Sequence, residues 1–200
     1  MYRSRRNNKF STLFRVNTRE LALISVLSSL WIAAQVVLGP IIGQITNVHG
    51  VVQRLFGWFL MLILAEQTEK FGRVTLMATI AALATRMVRR TASIYPWVLA
   101  FGYSLGGLTF DLLFFMPFFH VSSLKGKVKT AYILTASLIS GLFALIPYLA
   151  FQFYTLDINV FTVRLPIYAY SLLKGVSLSI LGTFIGLPIA SRIKPKELIS

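Results

Sequence analysis

Six long apolar stretches, separated by short polar ones, organise this chain. The first covers 19–39 and stops at Gly39-Pro40. The second, 51–67, ends in the polar string Glu66-Gln67-Thr68-Glu69-Lys70. The third, 72–90, ends in Arg86, Arg89 and Arg90, and the fourth, 94–119, runs from Tyr95-Pro96-Trp97 to Phe119-His120. The fifth and sixth cover 128–153 and 163–191. Each is near or above the roughly 17–25 residues that cross a hydrocarbon layer as a helix. None shows the every-second-residue alternation of a strand. In lipid only helices and closed barrels satisfy their own backbone. The pattern therefore predicts an all-α integral membrane protein, a bundle of six transmembrane helices.

Composition agrees. Hydrophobic residues make up 56% of the 200 and charged residues 13%, where a soluble domain carries about 25% charged. The mean hydropathy is +0.73. The chain divides into a basic N-terminal segment, 1–18, a transmembrane domain, 19–192, and a short tail, 193–200. The run from Leu21 to Leu38 is long for the apolar core of a signal peptide, and no small-x-small cleavage site follows it. It reads as a retained first span.

Charge orients the bundle. Of twenty basic residues, most fall before the first span, between the second and third, between the fourth and fifth, and after the sixth. These include Arg3, Arg5, Arg6, Lys70, Arg73, Lys125, Lys127, Lys129, Arg192 and Lys194. Cytoplasmic loops carry the Lys/Arg excess, so both termini are expected in the cytoplasm of a multi-pass cell-membrane protein. The net charge of +14 is then a property of membrane-flanking loops rather than of a nucleic-acid surface, and no nucleic-acid partner is expected. Arg54, Arg86, Arg89, Arg90 and Arg164 depart from the rule by falling on the opposite, outer side.

Several chemistries are disfavoured. Gly102-x-Ser104-x-Gly106 has the spacing of a hydrolase nucleophile elbow, but that motif needs a strand-turn-helix setting with an imidazole and an acid. Ser104 sits inside an apolar helix. Of the two histidines, His49 is in a loop and His120 lies roughly 24 Å further along the same span. An intramembrane hydrolase is disfavoured, and no enzyme activity is expected. There is no cysteine, no HExxH, no carboxylate cluster and no phosphate-binding GxxxxGK[ST] loop. No metal and no cofactor is expected.

Small residues and intramembrane charges remain. Ser25, Ser29 and Ala33 share a face of the first span. Gly102 and Gly106 in the fourth, and Gly182 and Gly186 in the sixth, repeat the spacing that lets helices approach closely in lipid. Ionisable residues within spans are functional candidates, here Asp111 and Lys174, with an Asp111–Lys174 pair as one arrangement. Arg54 and Arg86 lie near the outer boundary, where their long side chains can snorkel. The 40–50 and 154–162 segments, with Gln44, Asn47 and Asn159, suit a polar lid.

With these features the chain resembles the substrate-binding S components of energy-coupling-factor (ECF) transporters. The resemblance spans nearly all of it, through its length, six spans, short loops and cytoplasmic termini. The more specific part is 18-TRELALISVLSSLWIAAQ-35, similar to the opening helix of S components, whose small-residue face docks on a shared transmembrane T component. The matching positions are Ser25, Ser29 and Ala33, with serines where alanines are usual. The strings 39-GPIIG-43 and 72-GRVTLMATIAALATRMV-88 look like the corresponding parts of members that handle thiamine or its hydroxymethylpyrimidine precursor. The resemblance implies uptake of a small water-soluble vitamin or precursor, with a T component and two ABC ATPases as partners. It further implies a ligand held by the outer halves of the later spans under the loop between the first two. By location this points to Asn47 and His49 in the lid, and to Arg86, Trp97, Tyr103, Tyr148, Tyr168 and Lys174 around the pocket. The outer arginines favour an anionic or neutral ligand over a cation by simple attraction. A self-contained secondary transporter of a small metabolite is the alternative, with Asp111 or Lys174 coupling to protons.

Overall fold

The computed structural model describes residues 16–46, 50–89, 93–115, 121, 124 and 126–193. Among these it is all-helical. The elements are α1 (Thr18–Thr46), α2 (Val51–Thr68), α3 (Arg73–Arg89), α4 (Tyr95–Phe115), α5 (Gly126–Phe143), α6 (Ile146–Thr155) and α7 (Ile158–Arg192). Four apolar runs are long enough to cross a membrane: Thr18–Ile45, Tyr95–Phe115, Gly126–Thr155 and Ile158–Arg192. That is consistent with a multi-pass membrane protein. α2 and α3 fall outside this set, and burial explains α2. Its residues Leu60 to Glu66 are all buried, against α1, α3 and α7. A helix wrapped by protein can carry Gln53, Arg54, Glu66 and Gln67. The surrounding helices turn Val26, Leu30, Phe101, Leu112, Leu173 and Phe184 outward, an apolar exterior suited to lipid.

Three element boundaries differ from the pattern reading. α1 continues through Pro40 to Thr46, because a proline removes one helical hydrogen bond but need not end a helix braced by its neighbours. The fifth stretch is broken between α5 and α6, with Pro147 at the start of α6. The 154–162 segment is not a lid. Asp157 caps α7 by accepting from the Asn159 backbone N–H at 3.0 Å, so α7 begins well before 163.

Close approaches fix the frame. A Cβ on Gly102 would meet the Ala144 carbonyl oxygen at 2.3 Å, and one on Gly182 would meet that of Leu55 at 2.1 Å. The GxSxG string is therefore a seam between α4 and the α5–α6 break. Ser104 Oγ donates to the Ala100 carbonyl within its own helix, at 3.3 Å.

The two ends of the bundle are joined differently. At one end Glu20 of α1 pairs with Lys70 and, at 2.9 Å, with Arg73. Glu66 of α2 meets Lys129 of α5 at 2.6 Å. Gln67 donates to the Ile193 carbonyl at 2.7 Å. Asp111 near the end of α4 accepts from the Thr75 backbone N–H at 2.7 Å and its hydroxyl at 2.6 Å. That carboxylate serves the first turn of α3, whose leading N–H groups have no helical acceptor. Asp111 is thus a helix-end contact and not the partner of Lys174, which lies at the opposite end. There, Arg89 of α3 donates to the Gln35 carbonyl of α1, and Tyr95 of α4 packs edge-on against Tyr148 of α6.

Candidate ligand-binding site

A cavity of about 580 Å³ opens at this second end. α1 contributes Gln35, Gly39, Pro40 and Gln44; the start of α2 contributes Gly50, Val52, Gln53 and Arg54. The last turn of α3 supplies Arg86 and Arg89. Tyr95, Leu99 and Tyr103 enter from α4, which the four-residue spacing puts on one helical face. Leu145 and Tyr148 border the α5–α6 break, and Ser171 and Lys174 come from α7. The volume lies within the roughly 300–1,000 Å³ typical of small-molecule sites.

The floor is aromatic and closely packed. Tyr103, itself 5% exposed, meets Trp31 edge-on at 6.3 Å and Trp58 at 6.2 Å. Trp58 is fixed in turn by donating Nε1–H to Ser140 Oγ at 2.7 Å. Arg54 lies over the Tyr103 ring, 5.8 Å from its centroid, within cation–π range. Its Nη1 reaches the Gly141 carbonyl at 3.5 Å. Gly175 makes room for it, since a Cβ there would meet Nη1 at 2.5 Å. On the rim, Tyr148 packs edge-on against Tyr95 at 5.5 Å and Tyr168 at 6.0 Å.

The electrostatics are one-signed. Arg54, Arg86, Arg89 and Lys174 line the cavity, and among the described residues no carboxylate does. Arg86 and Arg89 sit at a helix C-terminus, where the macrodipole favours cations. Arg54 sits in the first turn of α2, where the dipole opposes it, so helix stability does not account for it. Arg86 and Gln53 are 7% and 6% exposed, and Arg86 Nε and Gln53 Nε2 have no hydrogen-bond acceptor. Buried polar groups are normally satisfied, and an exception calls for a cause.

Four of the sequence-predicted residues, Arg86, Tyr103, Tyr148 and Lys174, come together in this cavity. Trp97 does not line it: it is exposed, two residues and about 200° of helical rotation from Tyr95. Tyr168 does not line it either. It is buried behind Tyr148 and donates its hydroxyl to Gln152 Oε1 at 3.2 Å. Asn47 and His49 lie outside the described residues. Arg54 and Arg86 do not snorkel outward, because both are buried toward the cavity. Pattern reasoning missed Gln35, Gln53, Tyr95 and Ser171 as lining residues and treated Arg54 and Arg89 only as outer charges. The usable signal was a glutamine inside an apolar run: a polar side chain in a span needs a protein or ligand partner.

Ser25, Ser29 and Ala33 are exposed along α1, beside exposed Ala22 and Val26. A second depression, of about 480 Å³, lies at the other end near Asn17, Leu23, Val26 and Thr68. Among the described residues its one acid, Glu20, is already paired with Lys70 and Arg73. Comparison with known proteins found no family model, curated protein or solved structure that the chain matches.

Proposed function

We propose that the chain is a membrane-embedded substrate-binding subunit of an ECF-type importer, taking up a small water-soluble vitamin or precursor. The observation that carries this reading is the cavity: a space of about 580 Å³, lined by four cations, amides and tyrosines among apolar side chains, at one end of an apolar-coated bundle. In the charge-based topology, with α2 and α3 also counted as spans, that end faces outward, where a binding subunit collects its substrate. The exposed small-residue stripe of α1 supports the reading as a docking face for a T component, which with two ATPases would supply the energy. The aromatic floor suits the ring of the hydroxymethylpyrimidine class suggested by 39-GPIIG-43, and Arg54, Arg86, Arg89 and Lys174 suit it best in a phosphorylated form, whereas cationic thiamine fits poorly beside them.

The test is co-purification with a T component and ATPases, compared between the wild type and Ser29→Leu. The reading expects the leucine to break the complex while small-molecule binding persists. An unchanged complex refutes the docking face. The alternative is a self-contained secondary transporter coupled through Lys174. Substrate accumulation in liposomes by the purified chain alone, under a proton gradient, would establish it.

A further inference from the structure

We propose that the cavity selects a small organic dianion, a solute whose phosphate or paired carboxylate oxygens are held by Arg54, Arg86, Arg89 and Lys174. The proposal rests on reading the cavity as a substrate site and adds the charge and chemical class of the substrate.

Three independent observations converge on it. The first is charge: four cations line the space, and no acid among the described residues does. The second is hydrogen bonding. The unsatisfied buried atoms of the lining, Arg86 Nε and Gln53 Nε2, are both donors. What the site lacks is an acceptor, and an oxyanion brings acceptor oxygens and countercharge together. The third is backbone: the N-terminus of the 18-residue helix α2 borders the same space through Gly50, Val52 and Gln53. Its free N–H groups and dipole favour an anion.

Geometry narrows the class further. Three of the four cations are arginines, whose planar forks match carboxylate and phosphate oxygens pairwise. A monatomic anion would engage one fork and leave most of about 580 Å³ unfilled. Tyr95 and Tyr148 offer ring surface to the body of the solute while the cations hold its charged groups. A neutral solute would leave Arg54 and Arg86, both buried, without a countercharge where repulsion between them is poorly screened.

The test uses the full chain in neutral-detergent micelles, titrated with inorganic pyrophosphate, pyridoxine 5′-phosphate and its neutral counterpart pyridoxine. Equilibrium binding and melting temperature are read together. Both phosphates are expected to raise the melting temperature at millimolar concentration. Pyridoxine 5′-phosphate is expected to bind at least about 30-fold more tightly than pyridoxine, the scale of losing one desolvated charge partner. Arg86→Gln should abolish that preference and Arg86→Lys restore part of it. Arg86→Gln without ligand should melt no lower than wild type, which separates lost binding from lost fold. Pyridoxine binding as tightly as its phosphate would overturn the anion assignment and leave the substrate-site reading standing. No response to any of the three would overturn both. A bound phospholipid that pyrophosphate fails to displace would assign the oxyanion to a lipid headgroup and overturn the soluble-solute form.

Discussion

Glu20 holds Lys70 and Arg73 at one end of the bundle, Glu66 holds Lys129, and Asp111 holds the start of α3. At the other end Arg54, Arg86, Arg89 and Lys174 gather around a cavity whose described lining contains no acid. One chain thus treats charge in two ways within a single helical frame. Pairing at the first end is what a low-dielectric interior demands, since an unpaired buried charge loses hydration without recompense. At the second end Arg86 is buried with no acceptor for its Nε and no carboxylate in the described lining beside it, which fold maintenance does not explain. In a membrane bundle the informative residue is the buried cation left without a countercharge, here Arg86.

Substitutions at the two ends should have opposite consequences for stability. The largest effect is expected from the frame both ends share. Gly102→Leu would push a side chain into the Ala144 carbonyl, which lies 2.3 Å from the position of a Cβ. It should destabilise the protein by about 3 kcal/mol, measured as unfolding in a detergent-denaturant titration. Next comes the paired end. Asp111→Ala leaves the Thr75 N–H and hydroxyl without their acceptor and should cost about 2 kcal/mol, with Asp111→Asn recovering part of it. At the cation-only end the sign should reverse. Arg86→Gln removes an uncompensated buried charge and should raise ligand-free stability by about 1 kcal/mol; a loss as large as that of Asp111→Ala would mean the two ends do not differ. Ser29→Leu should have the smallest effect on stability, within about 0.5 kcal/mol, because the side chain faces outward. Its consequence belongs to partner docking, read by pull-down.

Much of the fold was legible because the apolar runs are long and α-helix is the default for such runs in lipid. The breaks were less so. The α5–α6 turn is announced only by Pro147, which sits at the start of α6 and has no N–H to offer the Phe143 carbonyl four residues back. Gly102 packs against the resulting turn at Ala144. Pro40 reads as a stop, yet α1 runs through it. Within the site, Arg86, Tyr103, Tyr148 and Lys174 were legible as charged or aromatic residues in the outer parts of apolar runs. Trp97 was misplaced because depth was read without rotation: Tyr95 and Tyr103 share a face from which Trp97 points away. Asp111 looked functional by depth alone. The fold shows that it serves the first turn of a neighbouring helix. Gln35 and Gln53 were overlooked because a single amide in an apolar run does not say which neighbour it faces.

The most direct test of the contrast between the ends is to identify the small molecule that the protein retains. Protein purified gently from its native membrane can be examined by native mass spectrometry, with release and identification of what it carries. One soluble molecule per chain is expected, bearing at least two negative charges at neutral pH and lost in Arg86→Gln. A retained cation, or a neutral molecule that Arg86→Gln still holds, would contradict it.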